Sequence, residues 1–197
     1  MVVPHAVLFP HALVPLRIFE PKYRQMLEYC LNADRVFCLT PIHPALSEHT
    51  PQSDVPPVAG LGLVRACVAM ADGSSNLILQ GMARVELAAP LQTAPFLISK
   101  LHPVQPLILS NTDLPPLCSS LLNLCTEIRN NGFQVPENFD AQISHLIAHF
   151  SDPDSLCDIV AHHLLQNPIS RQSVLEERRV AARIRLLTLL LSQEHGL

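Results

Sequence analysis

The alternation of apolar and polar residues changes character about halfway along the chain. Near the front, Tyr23, Met26, Leu27, Cys30 and Leu31 recur at helical spacing after Glu20-Pro21, which predicts an amphipathic helix. Proline suits the first helical position, where its missing N–H would be unpaired in any case. Glu20 also precedes Arg24 by four residues, the stabilising order for an ion pair on a helix. The apolar run 36–40 suits a short buried strand. Segments 61–71 and 76–87 read as a hairpin turning at Asp72-Gly73-Ser74-Ser75. Gly81 falls inside the second of these strands, where glycine marks a bulge or bend. Segment 96–101 reads as one further strand.

Beyond that the period lengthens. Apolar residues at 117, 121, 124, 125 and 128 predict a helix over 117–129, closed by the C-terminal signature Asn130-Asn131-Gly132. Further helices fit 141–150, 155–165 after Asp152-Pro153-Asp154, 170–176 after Pro168, and 180–192. In the last, Val180, Ile184, Leu187 and Leu191 form a stripe. Proline use divides the chain in the same place: fifteen of its 18 prolines lie at or before Pro116. Because proline is excluded from helix interiors, the front reads as strands and turns and the back as helices. A β-rich subdomain over 1–103 and a helical one over 117–197 are expected, with the proline-rich stretch between them as the seam.

Composition narrows the class. Hydrophobic residues make up 48% of the 197 and charged ones 15%, too apolar for a disordered chain. The longest dense apolar run, residues 186–191, is far shorter than the about 20 residues a spanning helix needs. The opening residues lack a basic segment and are interrupted by Pro4, so a secretory leader is not expected. Six cysteines are scattered without a CxxC pair, and they read as reduced, mostly buried residues of a cytoplasmic protein. A formal charge of −4 leaves no footprint for nucleic acid or an anionic membrane.

One stretch is distinctive. Leu8-Phe9-Pro10, followed by Pro15-Leu16-Arg17-Ile18-Phe19-Glu20-Pro21-Lys22-Tyr23-Arg24-Gln25-Met26, closely resembles the opening signature of the Lon protease N-terminal domain family, roughly LFPG then PLxIFEPRYRxM. Weaker features follow in order: Gly60-x-Gly62 before a strand, Leu79-Gln80-Gly81-x-x-Arg84, and Asp158-Ile159-Val160-Ala161 followed by Gln172 and Leu175-Glu176. The resemblance covers essentially the whole chain. It departs from the family pattern at His11, where glycine usually stands, so a different backbone path is expected there. It departs again at Arg179, which replaces the aspartate that usually caps the last helix and faces Arg183 four residues on. The last two helices are therefore expected to be able to run together.

The resemblance implies an α+β fold, with a partly open β-barrel-like (PUA-like) subdomain followed by a helical bundle. It also implies a role in capturing unfolded or tagged polypeptides, since this region does so in full-length Lon proteases, whose ATPase and serine–lysine protease domains lie further along. A separate protease or chaperone is then a candidate partner, and protein quality control a candidate setting.

Gly60-x-Gly62 lacks a third glycine and no GxxxxGK[ST] occurs, so no phosphate cradle is expected. Ser99 and Lys100 are adjacent on an expected strand, so their side chains point to opposite faces and form no nucleophile–base pair. His145 and His149 have ligand spacing on an expected helix, and Cys157, His162 and His163 are nearby in sequence, yet no HExxH completes the set. No catalytic residue, cofactor or metal is therefore expected. Arg171, Arg178 and Arg185 recur every seven residues with Arg179 and Arg183 beside them. A solvated helix face explains them, while RNA binding or scaffolding on the same fold stands as the alternative function. Phe9, Leu13, Val14, Ile18 and Phe19 form a dense apolar strip that is either core or an exposed peptide-binding groove. They are the candidate site for unfolded or apolar polypeptide segments, in a binding module that is not an enzyme.

Overall fold

The computed structural model describes residues 1–41, 55–109, 112–133, 135, 139, 143 and 152–197. They fall into two compact units, Met1–Val104 and Gln105–Leu197.

The first unit is an open antiparallel sheet with one helix. Its strands are β1 (Leu13–Ile18), β2 (Val36–Leu39), β3 (Val58–Ala69), β4 (Ser75–Gln92) and β5 (Ile98–Pro103), and α1 (Pro21–Leu31) follows β1. The sheet order is β1-β4-β3-β2, and β5 pairs with the far half of the long β4. Strand β1 thus lies at an edge, where Pro15 removes no hydrogen bond that a central strand would need. The β3–β4 turn is closed by Asp72: its Oδ1 accepts from Ser74 N (2.9 Å) and Ser74 Oγ (2.6 Å), and its Oδ2 pairs with Arg17 at 2.9 Å. Gly73 takes φ +77 there, a conformation that costs a Cβ-bearing residue about 1–2 kcal/mol. In α1 the sequence pairing of Glu20 with Arg24 is replaced: Glu20 meets Lys22 at 3.2 Å, and Arg24 Nε donates to Phe19 O at 2.7 Å.

Two glycines let main chain into the core. A Cβ at Gly60 would lie 2.0 Å from Leu8 O, and one at Gly81 would lie 1.9 Å from Phe9 O. Segment 8–10 therefore runs tight against β3 and β4, and Leu8 and Phe9 fill the interior with Ile18, Leu39, Leu79 and Val64. Gly60 and Gly62 lie within β3 rather than before it. The register shifts between Leu61 and Gly62, so the irregularity expected at Gly81 is present, with Met82 as the extra residue. His11 keeps the left-handed conformation that glycine favours, at φ +66. Its N–H donates to Gly81 O (2.9 Å), while Gly81 N–H donates to Ala12 O (2.8 Å). This pair of bonds fixes the turn against β4.

The second unit is helical. Its described helices are α2 (Leu114–Asn130), α3 (Pro153–Leu164), α4 (Pro168–Glu176) and α5 (Val180–His195). Helix α2 starts three residues earlier than the pattern suggested because Pro115 and Pro116 occupy its first turn, where no backbone donor is missed. Asp152 caps α3 by accepting from Ser155 N, and Asn167 caps α4 by accepting from Ile169 N. The Glu194 carboxylate accepts from Gln166 N and Asn167 N, tying the end of α5 to the α3–α4 turn. Helices α4 and α5, which the sequence would have allowed to run together, stay separate: Glu177 and Arg179 are both extended, and Leu107 pairs with this break through Leu107 N to Arg178 O (2.8 Å) and Val180 N to Leu107 O (3.0 Å). The expected helix 141–150, with His145 and His149, lies outside the described residues apart from the buried helical Ile143.

Candidate functional site

The apolar strip of the sequence is divided by the alternation of β1. Phe9 (0% exposed) and Ile18 (1%) are core, so neither offers surface to a ligand. Val14 is half-buried, whereas Leu13 (52%) and Phe19 (59%) are open to solvent. Side chains alternate across a sheet, and the register sets out one solvent-facing side. Leu13 aligns with Gln80 and Leu63, Pro15 with Ile78 and Ala66, and Arg17 with Asn76 and Val68. Val68 is 61% exposed. A shallow depression of about 450 Å³ lies over Pro15, Ala66, Val68, Asn76 and Ile78. The positive charge of Arg17 at its rim is matched by Asp72. Sequence reasoning missed the β3 and β4 contributors, because their partnership with β1 is set by register, not by neighbourhood in the chain.

A second concavity in the same unit is a recess of about 150 Å³ between α1, β2, the end of β4 and β5. Met26, Tyr29, Cys30, Cys38, Thr40 and Phe96 are among its walls. The Tyr29 and Phe96 rings meet with centroids 5.7 Å apart. Residues 1–3 close one side by pairing beside β2, through Thr40 N to Met1 O (3.2 Å) and Val3 N to Thr40 O (3.1 Å). Tyr23, from the family signature, donates its hydroxyl to Val2 O at 2.7 Å and so holds that segment.

The polar clusters of the helical unit are engaged in packing. Arg183, fully buried, pairs through Nη1 with Asp154 and with Asp158 (3.9 Å), and its Nε donates to Glu177 O at 2.6 Å. Arg179 pairs with Glu177 at 2.8 Å, which holds that carboxyl down at about 2. The like-charge conflict between Arg179 and Arg183 is thus resolved by giving each its own carboxylates. Arg171 Nη2 lies 3.1 Å from His162 Nδ1 and donates to His162 O at 3.0 Å. Burial, reinforced by Arg171 and His163, lowers His162 to about 3. Arg185 lies 3.8 Å from Asp113. The seven-residue arginine repeat is therefore split into separate ion pairs and hydrogen bonds, with Arg178 exposed. Ser99 and Lys100 remain consecutive on β5.

All six cysteines are free thiols, Cys30, Cys118, Cys125 and Cys157 being buried. Burial pushes Cys38 up to about 11 and Cys125 up to about 12. Among the described residues no group of three metal-ligating side chains converges, and no helix is long and apolar enough to cross a membrane.

An open antiparallel sheet threaded by its own N-terminal segment, followed by helices on a buried arginine, defines a two-unit α+β module. The family model of the ATP-dependent protease La (LON) substrate-binding domain matches residues 1–193, and the chain belongs to that family. It is similar to the Lon protease of Dictyoglomus thermophilum, with 22% identity over 95% of this chain and 23% of the relative. It is likewise similar to Lon protease 1 of Thermus thermophilus, with 27% identity over 95% of this chain and 23% of the relative. The chain thus spans about a quarter of the length of these relatives. Among solved structures it resembles the N-terminal domain of the Mycobacterium avium complex Lon protease, with TM-score 0.73, 15% identity, and 98% of this chain and 96% of that one covered. A Lon N-terminal domain protein from Xanthomonas campestris gives TM-score 0.63 and 17% identity, covering 94% of each chain.

Proposed function

We propose that this chain is a non-catalytic module that captures unfolded, apolar polypeptide segments in the cytoplasm and presents them to a separate protease or chaperone. The observation that carries this reading is the solvent-facing side of β1-β4-β3. There Leu13, Pro15, Ile78, Ala66 and Val68 form an apolar band across three strands, bordered by Gln80, Asn76 and Arg17. Contiguous exposed apolar surface of this kind marks interaction sites. Membership in a substrate-binding family supplies the direction. Leu13 and Phe19 are the residues of the original strip that remain available to a ligand.

The test is an anisotropy titration of the full chain with a labelled unfolded peptide and a labelled single-stranded RNA, each at several salt concentrations. Peptide binding through apolar contacts should persist as salt rises, because few charges cross the interface. RNA binding would instead fall with a log–log slope near −0.7 per neutralised phosphate. Leu13→Ser and Phe19→Ser should weaken peptide binding several-fold while altering stability by no more than about 0.5 kcal/mol, as exposed substitutions do. Salt-sensitive RNA binding without peptide affinity would remove this reading in favour of a nucleic-acid-binding one.

A further inference from the structure

The recess between α1, β2 and β5 carries one polar group that the fold leaves unanswered. Thr40 is 2% exposed and lines the recess. Its backbone is satisfied on both sides by Met1 and Val3. Its hydroxyl, by contrast, has no hydrogen-bond partner among the described residues. A buried hydroxyl without a partner is costly, and native structures seldom leave one so. The other walls are largely apolar, with Met26, Phe37 and Leu87 among them and the thiols of Cys30 and Cys38 beside them; the other polar groups are Ser99 and the Met1 ammonium, which already donates to Cys38 O at 2.7 Å.

Size narrows the occupant. A cavity of about 150 Å³ with an apolar lining accepts a single benzene ring, and this recess has about that volume. Tyr29, largely exposed, and Phe96 stand together in its wall, where a flat ring would find edge and face contacts. An aliphatic side chain would fill the space but leave the hydroxyl unanswered. A ring with a hydrogen-bonding tip meets both demands, once Thr40 turns about χ1 to bring its covered oxygen to the recess. We infer that this recess is a subsite for the phenol ring of a tyrosine in a bound polypeptide, with the Thr40 hydroxyl as the partner of the phenol oxygen. The inference rests on the polypeptide-binding reading and adds to it a side-chain preference at a place apart from the β1-β4-β3 face.

The test uses the full chain and two probes that differ by one oxygen, N-acetyl-tyrosinamide and N-acetyl-phenylalaninamide, titrated by amide NMR. The tyrosine probe is expected to bind about five-fold more tightly, the scale of one net hydrogen bond, and to shift resonances around Thr40, Tyr29 and Phe96. Thr40→Val keeps the shape and removes the oxygen. It should leave the fold at least as stable to urea and make the two probes equal. Tyr29→Ala should weaken both probes. Equal affinities in the parent chain overturn the subsite, as does a preference that survives Thr40→Val, shifts confined to the β1-β4-β3 face, or no binding up to the probes' solubility. An unfolded peptide titrated into the same sample separates the two proposals. Peptide binding without tyrosine preference removes only the subsite, whereas a tyrosine probe in the recess with no peptide affinity removes the polypeptide reading on which it rests.

Discussion

In the sheet unit the last space in the core is filled by main chain; in the helical unit it is filled by a charge. Segment 8–10 passes through openings that exist only because residues 60 and 81 have no side chain. Its carbonyl groups lie against β3 and β4, and Leu8 and Phe9 complete the packing. The helical unit instead places the Arg183 guanidinium at its centre and answers it with Asp154, Asp158 and the Glu177 carbonyl. Main chain packed against glycines demands that those two positions stay without a side chain. A buried ion cluster demands that every partner be kept. The two units should therefore fail differently: the sheet unit through changes in backbone freedom, the helical unit through changes in charge.

The largest effect is expected at Arg183. Arg183→Ala leaves Asp158, itself 1% exposed, without its guanidinium, and breaking a buried pair from one side costs about 3–5 kcal/mol. Urea unfolding followed by circular dichroism should show the loss. Arg179→Ala, which removes an exposed partner of Glu177, should change stability little. Equal, small effects for the two variants would mean that the buried cluster is not what closes the helical unit.

How far this division could be read from the sequence depends on which residues carried it. Helix α1 and the β3–β4 hairpin were legible because Pro21, the 3.6-residue spacing and Asp72-Gly73 are local signals. Strand β1 was not: Leu13–Ile18 reads as a proline-studded apolar strip, and only pairing with β4 makes it a strand. The alternation of that strand decides that Phe19 faces water and Ile18 does not. The extension of β4 through Pro90 is likewise a consequence of pairing, here with β5. In the helical unit, Arg183 looked like part of a basic stripe, since its carboxylate partners lie 25 and 29 residues away in sequence. Several residues that made the family recognisable prove to be packing devices: Phe9 in the core, Gly81 against Phe9 O, Tyr23 on Val2, Asp158 on Arg183. The candidate binding residues are less distinctive in sequence, because exposure is set by register.

A pH titration sharpens the charge side of the comparison. His162 is held neutral by burial, with Arg171 and His163 adding to the effect, and its folded value of about 3 lies far below the ordinary 6.5. Between those values the unfolded chain binds a proton that the folded chain does not, so stability rises with pH there and is lost as pH falls from about 6.5 toward 3. One proton taken up on unfolding corresponds to about 1.4 kcal/mol per pH unit. His163 is lowered in the same direction, by burial and Arg171, so the informative quantity is the difference between the parent chain and His162→Gln. Urea midpoints measured from pH 6.5 to 5, above the range where carboxylates protonate, should fall less steeply in the variant. Parallel slopes would show that His162 titrates alike in both states.

The smallest effect tests the backbone side. His11 occupies φ +66 where the family resemblance leads one to expect glycine. Histidine tolerates that region better than most residues, but it still bears left-handed strain of about 1–2 kcal/mol. Glycine relieves the strain and gives back part of the gain through its greater freedom in the unfolded chain, about 0.5–1 kcal/mol. His11→Gly should therefore stabilise the sheet unit only slightly. Comparison with His11→Ala is cleaner, because both variants lose the imidazole and whatever it contacts, and only the alanine keeps a Cβ at positive φ. The glycine variant should exceed the alanine variant by about 1 kcal/mol in urea unfolding, a difference of a few degrees in thermal midpoint for a chain of this size. Such a gap would mean that the bonds of His11 and Ala12 to Gly81 hold the turn left-handed whatever side chain it bears. Equal stabilities would instead mean that the turn relaxes when the side chain changes, and that the main-chain plug is less rigidly fixed than the paired glycines at 60 and 81 imply.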